Sequence, residues 1–91
     1  MVDVRGDEAR FSFFRPDAGQ VHLVGDFNQW KDGAAPMSRS PDGYWRANLR
    51  LPPGKFRFRY RADGTWYTDF AAFGIEQGPF GWNSVVVVGS A

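Results

Sequence analysis

The alternation over Lys55–Ala62 constrains the fold more than any other part of the chain. Apolar residues at 56, 58, 60 and 62 alternate with Lys or Arg at 55, 57, 59 and 61. This period of two predicts a strand with one buried and one solvated face. Asp63-Gly64, the preferred dipeptide of a two-residue hairpin, follows at once. Thr65–Thr68 is therefore predicted to return as the neighbouring strand.

The two-residue turn also predicts the register of that hairpin. Ala62 should lie opposite Thr65, so that Arg61 lies opposite Trp66. Because directly paired side chains share a face of the sheet, Trp66 is predicted to lie with the basic residues. Burial in the core would then not explain this tryptophan.

A second informative stretch, Val21–Trp30, begins as a strand and ends in a Gly-Asp-Phe-Asn-Gln-Trp turn. Gly25 is expected to take a strained backbone angle, and Asp26 and Asn28 are expected to bond their own backbone two residues on. Such a turn would fix the direction of Trp30. The residues alone leave two roles open for Trp30, a contact surface or a plug at one end of the core.

The remaining chain contains short apolar runs separated by turn signals, and no helical period. Further strands are predicted over 10–14, 37–40, 44–51 and 83–88, whereas Phe70–Trp82 has no period and is predicted to be a loop. This pattern is typical of an all-β antiparallel sandwich. Residues 1–9 are predicted to be a flexible N-terminal segment and residues 10–89 a single domain. The predicted core includes Phe13, Leu23, Trp45, Leu49, Phe58 and Tyr60, and the run Val85–Val88 predicts a strand covered on both faces.

The composition narrows the function. The 91 residues suit one domain, and 11 basic against 10 acidic residues give no whole-protein field for nucleic acid or a membrane surface. Without cysteine and with His22 as the only histidine, no thiolate or His–His metal site is expected, and no cofactor is predicted. No paired carboxylates of the glycosidase type are recognisable. We therefore predict a cytoplasmic domain that is not an enzyme.

Several motifs together resemble the family 48 carbohydrate-binding modules, also called early-set or isoamylase N-terminal domains. That family includes the glycogen-binding domain of the AMP-activated protein kinase β subunit. The matching segments, in family order, are 21–30, 42–45, 51–54, 58–66 and 83–86. The resemblance implies an immunoglobulin-like (early-set) antiparallel β-sandwich of seven or eight strands. It also implies non-catalytic binding of α-1,4-linked glucan, such as glycogen or starch, alone or beside a partner enzyme or kinase.

The resemblance also implies a site. Trp30 and Trp66 match two tryptophans that stack on sugar rings in the glycogen-binding members. Arg59 matches a lysine that bonds sugar hydroxyls, and Asn83 matches an asparagine near the last strand. A leucine and a threonine that touch the sugar in kinase-type domains have no counterpart in Gly78–Trp82. Many family members are fused to amylase-type enzymes and bind glucan poorly.

Each candidate has an alternative interpretation. Arg59 and Arg61 could donate hydrogen bonds to sugar oxygens, or they could simply form a solvated strand face that guards the sheet edge against pairing. A third possibility is binding of single-stranded nucleic acid, which the balanced net charge disfavours. Trp82 is either a third stacking surface or a hydrophobic plug under its loop. Asn83 could instead start the last strand by bonding backbone. The alternative function is a protein-interaction or enzyme-accessory domain with weak or no sugar binding.

Overall fold

The computed structural model describes residues 1–89, and these fold as an all-β antiparallel sandwich, as predicted. The strands are β1 (Val2–Arg5), β2 (Glu8–Phe14), β3 (Val21–Gly25), β4 (Ser38–Arg39), β5 (Tyr44–Arg50), β6 (Gly54–Ala62), β7 (Thr65–Tyr67), β8 (Ile75–Gly78) and β9 (Gly81–Val88). One sheet has the order β1-β2-β5-β4. The other has the order β3-β6-β9-β8, with β7 also paired to β6. Within the described residues no α-helix forms; a single 3-10 turn covers Asp26–Asn28.

Two strands lie where the sequence predicted none. Residues 1–9, expected to be a flexible segment, contain β1, which pairs with β2 and places Val2 opposite Phe11 with only 8% of Val2 exposed. Its short Val-Asp-Val alternation supplies one apolar face. The segment 70–82, expected to be a loop, contains β8, and β9 begins at Gly81 rather than at Asn83. Glycines and a proline at the tip of the β8–β9 hairpin interrupt the alternation of apolar and polar residues, so the sequence pattern does not indicate these strands.

The core fills the space between the sheets. Of the six residues predicted to be buried, Leu23, Trp45, Phe58 and Tyr60 are buried, whereas Phe13 and Leu49 are only partly buried at its margin. Phe13 stacks on Tyr60 with ring centroids 4.5 Å apart. The buried residues that pack together as the main core cluster are Val2, Ala9, Phe11, Ala18, Val21, Leu23, Met37, Trp45, Leu51, Phe58, Tyr60, Ala62, Val86 and Val88. The valine run of β9 is covered on both faces except at Val87, which is 39% exposed.

One buried polar contact lies inside this core. The hydroxyl of Tyr60 donates to Asp69 Oδ2 at 2.8 Å, and burial raises the pKa of that phenol well above its ordinary value. The backbone N–H of Asp69 donates to Ser84 Oγ, which in turn donates to the carbonyl of Phe58 at 2.5 Å. These bonds tie the segment after β7 to β6 and β9, since an unpaired buried polar group would be costly.

Strand β6 organises the outer face of its sheet. Its inward residues belong to the core, and its outward residues are the four cations at 55, 57, 59 and 61. One edge of β6 pairs with β3. Its other edge pairs with β9 over residues 54–58 and with β7 over residues 60–62. The turn after β3, the cations of β6, and the strands β7 and β9 therefore meet on one exposed surface.

Candidate functional site

The turn after β3 is built around the side chain of Asn28. Its Oδ1 accepts from the Gly25 backbone N–H at 3.0 Å, and its Nδ2 donates to the Leu23 carbonyl at 3.1 Å. Gln29 and Trp30 both adopt left-handed backbone angles, with φ of 53° and 57°, which few non-glycine residues do. The backbone N–H of Trp30 closes the turn by donating to the Gly25 carbonyl at 2.9 Å. The turn therefore fixes the backbone from which the indole of Trp30 projects.

Gly25 is required here for a reason that differs from the prediction. Its backbone is extended, with φ and ψ both −171°, so it carries no unusual angle. A Cβ at this position would lie 2.5 Å from the carbonyl oxygen of Arg57 and 2.9 Å from the Cβ of Phe58. The absent side chain allows close approach of β3 to β6.

Asp26 holds the indole of Trp30 in place. Its Oδ1 accepts from Trp30 Nε1 at 2.8 Å, and its Oδ2 accepts from the backbone N–H of Arg57 at 2.8 Å. The two bonds differ from the predicted bond to its own backbone. They join the tryptophan to β6 through a single carboxylate, which fixes the direction of the ring.

Trp66 lies where the hairpin register predicts. Arg61 is paired with Trp66 and Ala62 with Thr65, and the Trp66 side of β7 faces away from the core with 39% of the residue exposed. The guanidinium of Arg61 stacks on the indole, 4.8 Å from the ring centroid. Arg61 Nε also lies 3.3 Å from Asp32 Oδ2. Arg61 thus packs against one face of the Trp66 indole.

Arg59 and Asn83 form the floor between the tryptophans. Arg59 Nε donates to Asn83 Oδ1 at 2.9 Å, and Asn83 is buried at 8% exposure. Glycines beside the pair leave room for it. A Cβ at Gly78 would lie 2.6 Å from Asn83 Nδ2, and one at Gly81, where φ is +123°, would lie 3.2 Å from Arg59 Nη2. In this structure the Asn83 side chain holds Arg59.

Two further cations of β6, Lys55 and Arg57, contact Glu76 of β8. Arg57 Nε donates to Glu76 Oε1 at 2.8 Å, and Lys55 Nζ contacts Glu76 Oε2. The hydrogen bonds from Lys55 and then Arg57 hold the pKa of Glu76 below its ordinary value of 4.5. The hydrogen bond between Arg57 and Glu76 also raises the pKa of Arg57. This cluster is solvent-exposed and ties β8 to β6.

These residues surround an open groove of about 560 Å³ on the outer face. Its lining residues are Asp26, Trp30, Arg57, Arg59, Trp66, Pro79, Phe80 and Asn83. Phe80 stands at the tip of the β8–β9 hairpin with 90% of its surface exposed. The groove thus combines aromatic walls with a polar, cationic floor.

The structure brings four of the six predicted site residues together in the groove: Trp30, Trp66, Arg59 and Asn83. Arg61 lies beside it, against Trp66. Trp82 is 48% exposed, but it alternates with Asn83 along β9 and therefore lies on the opposite face of the sheet. Sequence reasoning missed the roles of Asp26 and Phe80, although the fixed spacing of Asp26 and Trp30 in one turn could have suggested the first.

The residues that the structure describes contain neither a metal-binding cluster nor a membrane-spanning helix. No group of three or more His, Cys, Asp or Glu side chains is arranged to hold a metal ion within residues 1–89. Over the same residues, no helix has the length and apolar character needed to cross a membrane. His22 lies with Nδ1 3.5 Å from Asp32 Oδ1, on the outer face but outside the groove.

The two antiparallel sheets place the chain in the class of all-β sandwich domains, with an open aromatic groove on the outer face of one sheet. The sequence model of carbohydrate-binding module 48 (isoamylase N-terminal domain) matches residues 2–84. The chain therefore belongs to this carbohydrate-binding family, as its motifs predicted.

Curated relatives agree with this assignment. The chain is 37% identical over 70 residues to the 1,4-alpha-glucan branching enzyme GlgB of Salinibacter ruber, covering 72% of this chain and 11% of that protein. It is 35% identical over 80 residues to the corresponding enzyme of Aquifex aeolicus, covering 77% and 12%. It is 38% identical over 52 residues to Protein FLOURY ENDOSPERM 6, chloroplastic, of Oryza sativa subsp. japonica, covering 57% and 10%. The chain thus spans about a tenth of the length of these relatives.

Proposed function

We propose that this domain binds α-1,4-linked glucan in the groove between Trp30 and Trp66, without catalysing a reaction on it. The observation that carries the proposal is that both tryptophans line one open groove whose floor holds Arg59 and Asn83. The name of the branching-enzyme relatives, which act on 1,4-alpha-glucan, supports the polymer class. The role would be to hold an attached or partner enzyme on its polymer.

The physical basis is complementarity with a sugar ring. The C–H faces of glucose are apolar and slightly positive, whereas the face of an indole is electron-rich. A ring stacked on Trp66 would turn its hydroxyl edges toward the floor, where the Nη groups of Arg59 supply donors. Indole rings fixed before binding lose little conformational freedom, which favours affinity. The hydrogen bond from Trp30 Nε1 to Asp26 preorganises the indole of Trp30 in this way.

The test is retention on glycogen or amylose beads, followed by a titration with maltoheptaose monitored by tryptophan fluorescence. Retention that free maltooligosaccharide reverses is the expected result. Trp66→Ala should lose most binding. Trp82→Ala is the matched control, since Trp82 is exposed on the opposite face of the sheet, and it should bind normally.

Two outcomes would overturn the proposal. Absence of retention by the folded wild-type chain would favour the alternative, a protein-interaction or enzyme-accessory domain. Loss of binding in Trp82→Ala with normal binding in Trp66→Ala would move the site to the other face.

A further inference from the structure

The charged groups on the outer face of β6 are paired with one exception. Lys55 and Arg57 contact the carboxylate of Glu76, and Arg61 contacts that of Asp32. Within residues 1–89, Arg59 is the one cation of β6 that has no carboxylate partner. Its contact is with the neutral amide of Asn83, so its positive charge is not cancelled by a direct ion pair.

The guanidinium of Arg59 also keeps donors available. Its Nε is used by Asn83, while in the described part of the chain its two Nη groups have no hydrogen-bond partner. They lie at the floor of the groove beside the bare backbone of Gly81. The residue is half-buried, and screening of a charge by solvent is weaker there than on an open surface.

The carboxylate that lines the groove does not supply the missing pair. Asp26 follows β3, on the edge of β6 opposite to Asn83 and β9. Its two oxygens accept from Trp30 Nε1 and the Arg57 N–H. Near the hairpin tip the positive charge of Arg59 therefore has no bonded carboxylate, whereas at the Trp30 end of the groove the carboxylate of Asp26 is present.

From this asymmetry we propose that the groove prefers a glucan that carries a phosphate ester, with Arg59 as the residue that recognises the phosphate. The proposal rests on the proposed glucan-binding function and adds a substrate class to it. A guanidinium offers parallel N–H donors that match the spacing of phosphate oxygens. Neutral sugar hydroxyls can accept hydrogen bonds from the guanidinium of Arg59, but they gain no ion pair with its positive charge. The flanking glucose ring would stack on Trp66.

The experiment compares maltoheptaose with maltoheptaose bearing one phosphate monoester at a glucosyl C6, by calorimetric titration of the whole chain at low and high salt. The phosphorylated sugar should bind about fivefold tighter at low salt, as expected for one favourable ion pair. The advantage should shrink at about 0.5 M salt, where charges are strongly screened. Affinity for the neutral sugar should stay constant.

Two substitutions separate charge from hydrogen bonding. Arg59→Gln keeps a donor but loses the charge, so the advantage of the phosphorylated sugar should vanish while neutral sugar still binds. Arg59→Lys keeps the charge and should keep part of the advantage. Arg50→Gln, on the other sheet and paired with Asp7, is the control and should behave as wild type.

The outcomes distinguish the two proposals. Equal affinities for both sugars would overturn the phosphate preference and leave glucan binding intact. Absence of binding to either sugar would overturn the proposed function and this preference with it. Binding of a single-stranded oligonucleotide without binding of the phosphorylated sugar would also overturn the preference, and loss of that binding in Arg59→Gln would assign Arg59 to nucleic acid.

Discussion

The indole Nε1 of Trp30 donates to Asp26 Oδ1 at 2.8 Å, while the other oxygen of the same carboxylate accepts from the backbone of β6 at Arg57. A carboxylate can accept both bonds at once, whereas an amide side chain has one oxygen and one N–H₂ group. Asp26 is therefore a positioning residue for Trp30 and not simply a turn residue.

The first prediction is that Asp26→Asn weakens maltoheptaose binding about threefold to tenfold, since either the indole or the Arg57 N–H loses its acceptor, an effect of about 1 kcal/mol. Near-ultraviolet circular dichroism should show a more mobile tryptophan. In a Trp30→Phe background the same substitution should have a smaller effect on binding, because phenylalanine has no N–H to hold. An unchanged effect in that background would mean that Asp26 acts through β6 alone.

The second prediction contrasts two tryptophans. Trp66→Ala should abolish most glucan binding and change the free energy of unfolding by less than about 1 kcal/mol, because the ring lies on the exposed face. Trp45→Ala should cost about 3–5 kcal/mol, since that ring is buried and its Nε1 donates to the Arg15 carbonyl. Thermal unfolding of both variants measures this. A loss of several kcal/mol in Trp66→Ala would show that Trp66 is structural.

The third prediction concerns pH. The bonds from Lys55 and Arg57 lower the pKa of Glu76 in the folded chain, so its ionised form stabilises the fold above the unfolded pKa. That contribution should disappear as the pH falls through the lowered folded value. Glu76→Gln should therefore melt below wild type at pH 7, and the two melting temperatures should converge as the pH falls below the lowered pKa of Glu76. A difference that persists in acid would show that the charge of Glu76 is not the cause.

The fourth prediction concerns salt. Binding of neutral maltoheptaose releases few counterions, so its affinity should be the same at low and high salt. The site is open and the sugar gives up bonds to water, so we expect a Kd between about 10 μM and 1 mM, or about −7 to −4 kcal/mol. Titrations at two salt concentrations test this. A steep salt dependence for the neutral sugar would contradict stacking as the main contribution.

The fifth prediction is that the chain releases no reducing sugar from maltooligosaccharides. Among the groove residues Asp26 is the only carboxylate, and glycoside hydrolysis ordinarily needs a pair. A reducing-end assay over long incubation measures this. Turnover that is abolished by Asp26→Asn would contradict it.

The sequence predicts the strands with strong alternation because a period of two reflects two unlike environments. It also predicts the exposure of Trp66, because a two-residue turn leaves one register. The bond between Asp26 and Trp30 lies within one turn, whereas the second bond of Asp26, to Arg57, joins positions thirty-one residues apart and belongs to no local pattern. The face of the sheet on which Trp82 lies depends on the pairing of β8 with β9, which the residues alone do not give. That pairing lies in a segment where glycine and proline conceal the alternation.

The tip of the β8–β9 hairpin has a consequence for how ligand preference can diverge. Gly78 and Gly81 pair with each other. A Cβ at Gly78 would lie 2.6 Å from Asn83 Nδ2, and Gly81 has a φ of +123°, which residues with a side chain rarely adopt. Between them, Pro79 and Phe80 are exposed and belong to no part of the core. We therefore expect these two positions to accept other residues while the sandwich stays folded. Because both residues line the groove, the proposed function predicts that substitutions there change the preference for one glucan over another at little cost in stability.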